Sequence, residues 1–210
     1  MAEFAFSARA GRYRNRETGR FVGEAKVRDG VDATVDLAAE RMVGIARRLR
    51  DGELTAAGFQ VELQAAIKDV HVAGAVAAYG GRDAMTPERW GWVGSRVRAE
   101  YGYARGLVSD IIDGKQPLNG RFDARVRQYA SGGRVTYEAA RGRQRKEQGE
   151  TEERNVLHAS ESCASCKAQS SRGWVEIGAL VPVGRRSCRG QCKCSIEYRG
   201  AGRRKGEAAA

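Results

Sequence analysis

The sequence predicts a mainly α fold: a helical body of antiparallel helices, with a basic arm before it and a small cysteine-rich β-hairpin module after it. Three observations predict this. From residue 32 onward, apolar residues recur at steps of three and four, the period of helices that bury one face. Two short stretches near the end, Trp174-Val175-Glu176-Ile177 and Ser195-Ile196-Glu197-Tyr198, alternate instead with period two, as strands do. All five cysteines lie between residues 163 and 194. The expected layout is an extended basic arm over 1–30, a helical body over 31–150, a cysteine-rich module over 151–199 and a flexible tail over 200–210.

The arm carries Arg9, Arg12, Arg14, Arg16 and Arg20 around Gly11 and Gly19. Within it, Tyr13 and Phe21 interleave with arginines, a pattern suited to stacking on bases or anchoring on another surface, and equally found in a solvated terminus. The first helix is expected from Asp32, with Val35, Ala38, Ala39, Met42, Ile45, Ala46 and Leu49 on one face and a stop at Asp51-Gly52. Thr55 offers an N-cap to a second helix striped by Phe59, Leu63, Ile67, Val70, Gly74 and Ala77, ending at Gly80-Gly81. The short connection makes the two antiparallel neighbours.

A third helix starts at Thr86-Pro87, where the proline's missing N–H costs nothing, and runs to Asp113-Gly114. Its stripe of Trp90, Val93, Val97, Tyr101, Leu107, Val108, Ile111 and Ile112 marks it as the expected central helix, with Trp92 and Tyr103 left to pack on a second face or to touch a partner. A short helix over 120–131 carries Phe122, Val126 and Tyr129; Ser131-Gly132-Gly133 breaks it, and another runs from about Val135 to Gly149. Arg141, Arg143, Arg145 and Lys146 on that last helix could meet phosphates, but Glu138 and Glu147 among them fit a solvated face as well. Residues 150–154 read as a hinge.

A net charge of +11 and a pI near 9.8 draw the chain to polyanions or acidic protein surfaces. The N-terminus lacks a basic region leading into an apolar run, and no window reaches 18 uninterrupted apolar residues, so a soluble, unexported protein without a membrane partner is expected. In a reducing compartment an odd number of thiols favours metal over disulfides. Cys163-Ala164-Ser165-Cys166 and the Cys188, Cys192, Cys194 group are two close sets of soft ligands, a spacing that suits a tetrahedral ion, with zinc first. Cys163, Cys166 and Cys188 are the firmest ligands; Cys192 and Cys194, expected to point opposite ways, compete for the fourth place. Four thiolates would saturate the ion, making the site structural.

Other chemistry has little footing. His71 between Val70 and Val72 reads as a packed helix residue, and His158 as a substitute ligand or a partner to a thiolate at most. No Ser/His/Asp grouping is legible, and neither glycine pair is followed by the Lys-Ser or Lys-Thr of a phosphate loop. Arg185, Arg186, Arg189 and Lys193 beside the cysteines leave nucleic-acid binding as the rival reading, with solubility as their plainer use.

Several phrases, taken in order, resemble virion proteins of tailed bacteriophages, the minor head or head-morphogenesis proteins. They are Tyr13-Arg14-Asn15 through Thr18-Gly19-Arg20-Phe21-Val22, Met85-Thr86-Pro87-Glu88-Arg89-Trp90, Gly173-Trp174-Val175 through Gly184, and Cys188 through Glu197-Tyr198-Arg199. Many such relatives end in His-Pro-Asn-Cys-Arg-Cys, whereas this chain has Gln191-Cys192-Lys193-Cys194 with Cys188 upstream. The resemblance implies a non-enzymatic structural component of the particle. Its partners would be head, portal or connector proteins, with the basic arm and tail reaching neighbours or packaged DNA, and it would form a symmetric homo-oligomer in the virion after assembly in the host cytoplasm. It marks the five cysteines as a metal cluster and implies no active site. The alternative is a zinc-containing DNA-binding accessory protein of packaging or host takeover.

Overall fold

The computed structural model describes residues 4–7, 9–188 and 192–200. The chain is mainly helical with small antiparallel sheets, and it divides into two compact units, Met1–Tyr137 and Glu138–Ala210. The division falls inside a helix, upstream of the expected boundary at 150. The tail expected over 200–210 lies outside the described residues apart from Gly200.

In the first unit, α1 (Glu24–Arg50) and α2 (Ala56–Tyr79) form the expected antiparallel pair. Arg41 bonds Asp69 and Arg48 bonds Glu62, so partners advance along one helix as they retreat along the other. α1 begins eight residues earlier than Asp32, because Val27 and Val31 extend its buried stripe back through a charged stretch. Thr55 caps α2 by accepting from the Gly58 N–H, and Gly80, in the left-handed region with φ 82°, closes it. α3 (Pro87–Ile112) starts as expected, with Thr86 accepting from the Arg89 N–H. α4 spans Gly120–Ala130.

The central helix is α2 rather than α3. It packs against α1, α3 and α4, and it buries Phe59, Leu63, Ala66, Ile67 and Val70 in one cluster with Met42 and Ala46 of α1, Leu107 of α3, and Phe122 and Val126 of α4. The alanine- and valine-rich α2 is apolar on most sides, which suits the middle of a layer; α3 carries charged and small residues on its outer face and buries only one side.

Residues 4–22 are not an extended arm. They fold into an antiparallel meander, β1 (Phe4–Ser7), β2 (Arg12–Asn15) and β3 (Phe21–Val22). Tyr13 is fully buried, and its hydroxyl donates to the Ala78 carbonyl at 2.6 Å, satisfying an acceptor in the last turn of α2. Arg16 reaches the Gly80 carbonyl and Asp83. A short meander needs such outside anchors, since three brief strands alone bury too little to persist.

α5 (Gly132–Glu147) runs through the two glycines expected to break it. The reason is a close crossing with α2. A Cβ on Gly74 would overlap the Gly133 carbonyl oxygen, one on Gly133 would come within 2.5 Å of Val70 Cγ2, and one on Gly132 within 2.5 Å of His71 Nε2. Here glycine serves backbone-to-backbone approach rather than a turn. Only Ser131 interrupts α4 from α5.

In the second unit, β4 (Glu152–Val156) takes the place of the expected hinge. It is the middle strand of a sheet ordered β5-β4-β6, with β5 at Val175–Glu176 and β6 at Ser195–Arg199. The two predicted strands thus flank a third instead of pairing as a hairpin. Register sets Glu152 opposite Arg199 and Arg154 opposite Glu197, and both pairs form ion pairs, at 2.6 and 2.5 Å. Trp174 stacks on both guanidinium groups. The other sheet face buries Glu153, Asn155 and Ile196. Glu153 is satisfied by the N–H groups of Gly178 and Leu180. Among the described residues no helix is long and apolar enough to cross a membrane.

Candidate metal centre

The cysteines gather at the start of α6 (Ala164–Ser171). Cys163 is its N-cap, and its sulfur accepts from the Cys166 N–H at 3.4 Å, so the Cys-x-x-Cys spacing puts one thiol on the helix end and the next one turn inside. Cys166 Sγ lies 3.5 Å from Cys188 Sγ and 3.6 Å from Cys192 Sγ. Cys194 joins Cys166 and Cys192 in a group whose sulfurs all lie within 4.8 Å of one another. No disulfide links any of the five. Comparison with protein families, curated proteins and solved structures found no match.

The donor set fits a thiophilic ion. A tetrahedral zinc–thiolate site, with bonds of about 2.3 Å, places its sulfurs about 3.8 Å apart, close to the 3.5 and 3.6 Å found around Cys166. Cys163, Cys166 and Cys188 come together as expected, and Cys192 and Cys194 join Cys166 in a second group. The last two do not compete by pointing apart. Residues two apart on extended chain face the same side, and both are buried in one group.

Electrostatics bear out the crowding. Burial pushes the Cys166 and Cys188 thiols up, and Cys194 to about 12, because a thiolate would lose solvent there. Cys163, hydrogen-bonded by the Ser187 hydroxyl and then by the Cys166 N–H, is lowered to about 6. A bound cation reverses the first effect and reinforces the second.

The supports of the cluster carry no cysteine-like spacing and were invisible to motif reading. Asn155, on the inner face of β4, donates to the Cys166 carbonyl at 3.2 Å and accepts from Arg186 Nη1 at 2.6 Å. Arg186 also bonds the Val181 carbonyl and lies 3.8 Å from Cys166 Sγ. No signal in the sequence pointed to Asn155, because β4 itself reads as solvated chain. His158 joins neither sulfur group; its Nε2 meets the Ser195 hydroxyl at 2.7 Å.

The basic candidates separate by environment. Arg12 and Arg14 are exposed on one side of β2, each with its guanidinium about 5 Å from the Phe21 ring, and Arg20 is exposed beside them. Arg16 is engaged with Asp83 and Gly80. Arg185 and Lys193 are exposed, Arg186 is buried as a strut, and Arg189 lies outside the described residues. Of the α5 basic residues, Arg143 and Lys146 are exposed, while Arg141 and Arg145 are buried in ion pairs with Glu138 and Glu150.

His71 is a buried core residue of the first unit, 1% exposed, with Nδ1 bonded to the Thr136 hydroxyl at 2.7 Å. Burial, helped by the nearby Arg96 charge, lowers its pKa to about 4. Since the folded value lies below the unfolded value of about 6.5, the unfolded chain takes up the proton first as pH falls. The resulting stability is complete above about pH 6.5 and is lost progressively toward pH 4, to the extent of about 3 kcal/mol. Chemical unfolding of wild type and His71→Gln at both ends of this window checks it: the pH-dependent loss should be smaller in the variant by that amount, and equal losses would refute the assignment.

Proposed function

We propose that the chain is a non-enzymatic structural component of a tailed-phage particle, in its head, portal-vertex or connector region. It acts through protein–protein contacts in a symmetric assembly, with a C-terminal unit held by structural zinc. The observation that carries the non-enzymatic, metal-held part of the reading is the gathering of four thiols around that of Cys166, with no carboxylate or imidazole of the described residues in either group. Soft donors alone suit a clasp better than a hydrolytic centre, which needs harder ligands and an activated water. The phage phrases also fall on residues that hold the fold: Tyr13 anchors the meander, Thr86 caps α3, and Trp174 and Arg199 stack across the sheet.

Mass spectrometry of purified particles from the phage encoding this chain tests the assignment. A fixed copy number per particle is expected; absence from particles with normally packaged DNA overturns it. The exposed Arg12, Arg14 and Phe21 favour one second reading, a DNA-binding accessory protein, which predicts salt-sensitive, sequence-independent affinity for duplex DNA.

A further inference from the structure

The sulfurs of the second unit form two triangles with one corner in common. Cys163, Cys166 and Cys188 make one, and Cys166, Cys192 and Cys194 make the other; within each, all sulfurs lie within 4.8 Å of one another. A single tetrahedral ion draws four donors into one mutual group and leaves the fifth thiol without a task. Two ions, one to each triangle, employ all five. We propose that the centre is binuclear, with two dications of the zinc class bridged by the Cys166 thiolate. The inference rests on the metal reading above and adds the number of ions and the shared donor.

Cys166 is the sulfur placed for that role. It is the one common to both triangles, with neighbours at 3.5 Å on one side and 3.6 Å on the other, and it is 2% exposed. A thiolate sulfur has three lone pairs. Two ions take two of them, and the Arg186 guanidinium, 3.8 Å away and itself 3% exposed, faces the third. Charge points the same way: five thiolates against two dications leave one negative charge, and the buried cation that offsets it is Arg186. Asn155 and the Val181 carbonyl fix that guanidinium in place.

The donors are soft throughout, which selects thiophilic ions and disfavours magnesium or calcium. Three sulfurs leave each ion one place for solvent.

Native mass spectrometry of the full chain reconstituted with zinc is expected to show two ions per chain. Loaded with cadmium-113, the wild-type chain is expected to give two NMR resonances that split each other through the shared sulfur. Cys194→Ser should leave one resonance, unsplit; if that variant fails to fold, the wild-type count and splitting decide. One ion per chain, or two resonances without mutual splitting, overturns the bridge and leaves the metal reading standing. A folded wild-type chain that takes up no ion overturns both.

Discussion

Replacing Cys166 by serine is expected to abolish metal binding and unfold the second unit. A structural zinc site contributes an apparent free energy of about 10–16 kcal/mol in small modules, comparable with the whole stability of a domain, about 5–15 kcal/mol. The apolar cluster around the sulfurs is small, made of Val183 and the buried cysteines with Leu157 at its margin, so the segment that carries them depends on the metal. Protease sites between residues 150 and 200 should open while the α1–α4 core stays resistant. Cys163→Ser is the informative contrast. Serine is itself a good N-cap, so α6 keeps its first hydrogen bond, and the change removes one sulfur from one group. It should weaken metal binding without the collapse seen at Cys166. Metal content and proteolysis unaltered from wild type in Cys166→Ser would refute Cys166 as a ligand and the shared position it holds in both groups.

Arg141→Met is expected to destabilise the second unit by about 3–5 kcal/mol. The Arg141 and Glu138 side chains are 2% and 3% exposed and meet at 3.0 Å. Arg141 also donates to the Ile196 carbonyl at 3.2 Å and lies over the Tyr198 ring, joining α5 to β6. Methionine fills much of the volume and removes the Arg141 guanidinium from beside the buried Glu138 carboxylate. Adding Glu138→Leu should therefore recover a large part of the loss, because a buried pair replaced together by apolar residues sheds both desolvation penalties. Denaturant unfolding of the two single variants and the double variant measures this. Losses that simply add would show that Arg141 acts through β6 alone.

What could be read ahead of the structure follows the distance over which each signal acts. α2 and α3 were legible because cap, stripe and stop lie on the same stretch: Thr55 and Thr86 cap them as expected. The sulfur cluster was legible because ligand spacing is a local signal too. β4 was not, since Glu152-Glu153-Arg154-Asn155 looks like solvated chain; its charges are satisfied by Arg199, Gly178 and Glu197, all supplied from later in the sequence. The meander was hidden likewise, because Tyr13 is anchored by a carbonyl 65 residues away. Arg141 resembled surface charge, as any arginine does until its carboxylate is located.

The crossing of α2 and α5 has a consequence for recognising relatives. Side chains that meet can trade volume, one enlarging as the other shrinks, so a packed pair drifts over time without losing contact. Where the Gly133 carbonyl lies against Gly74, no such exchange exists, since there is nothing smaller than hydrogen to offer in return. Distant homologues that keep this crossing should therefore hold glycine at the equivalents of 74 and 133 even where the surrounding valines and alanines have changed. That pair, read together with the cysteine spacing, forms a signature anchored in both units of the chain.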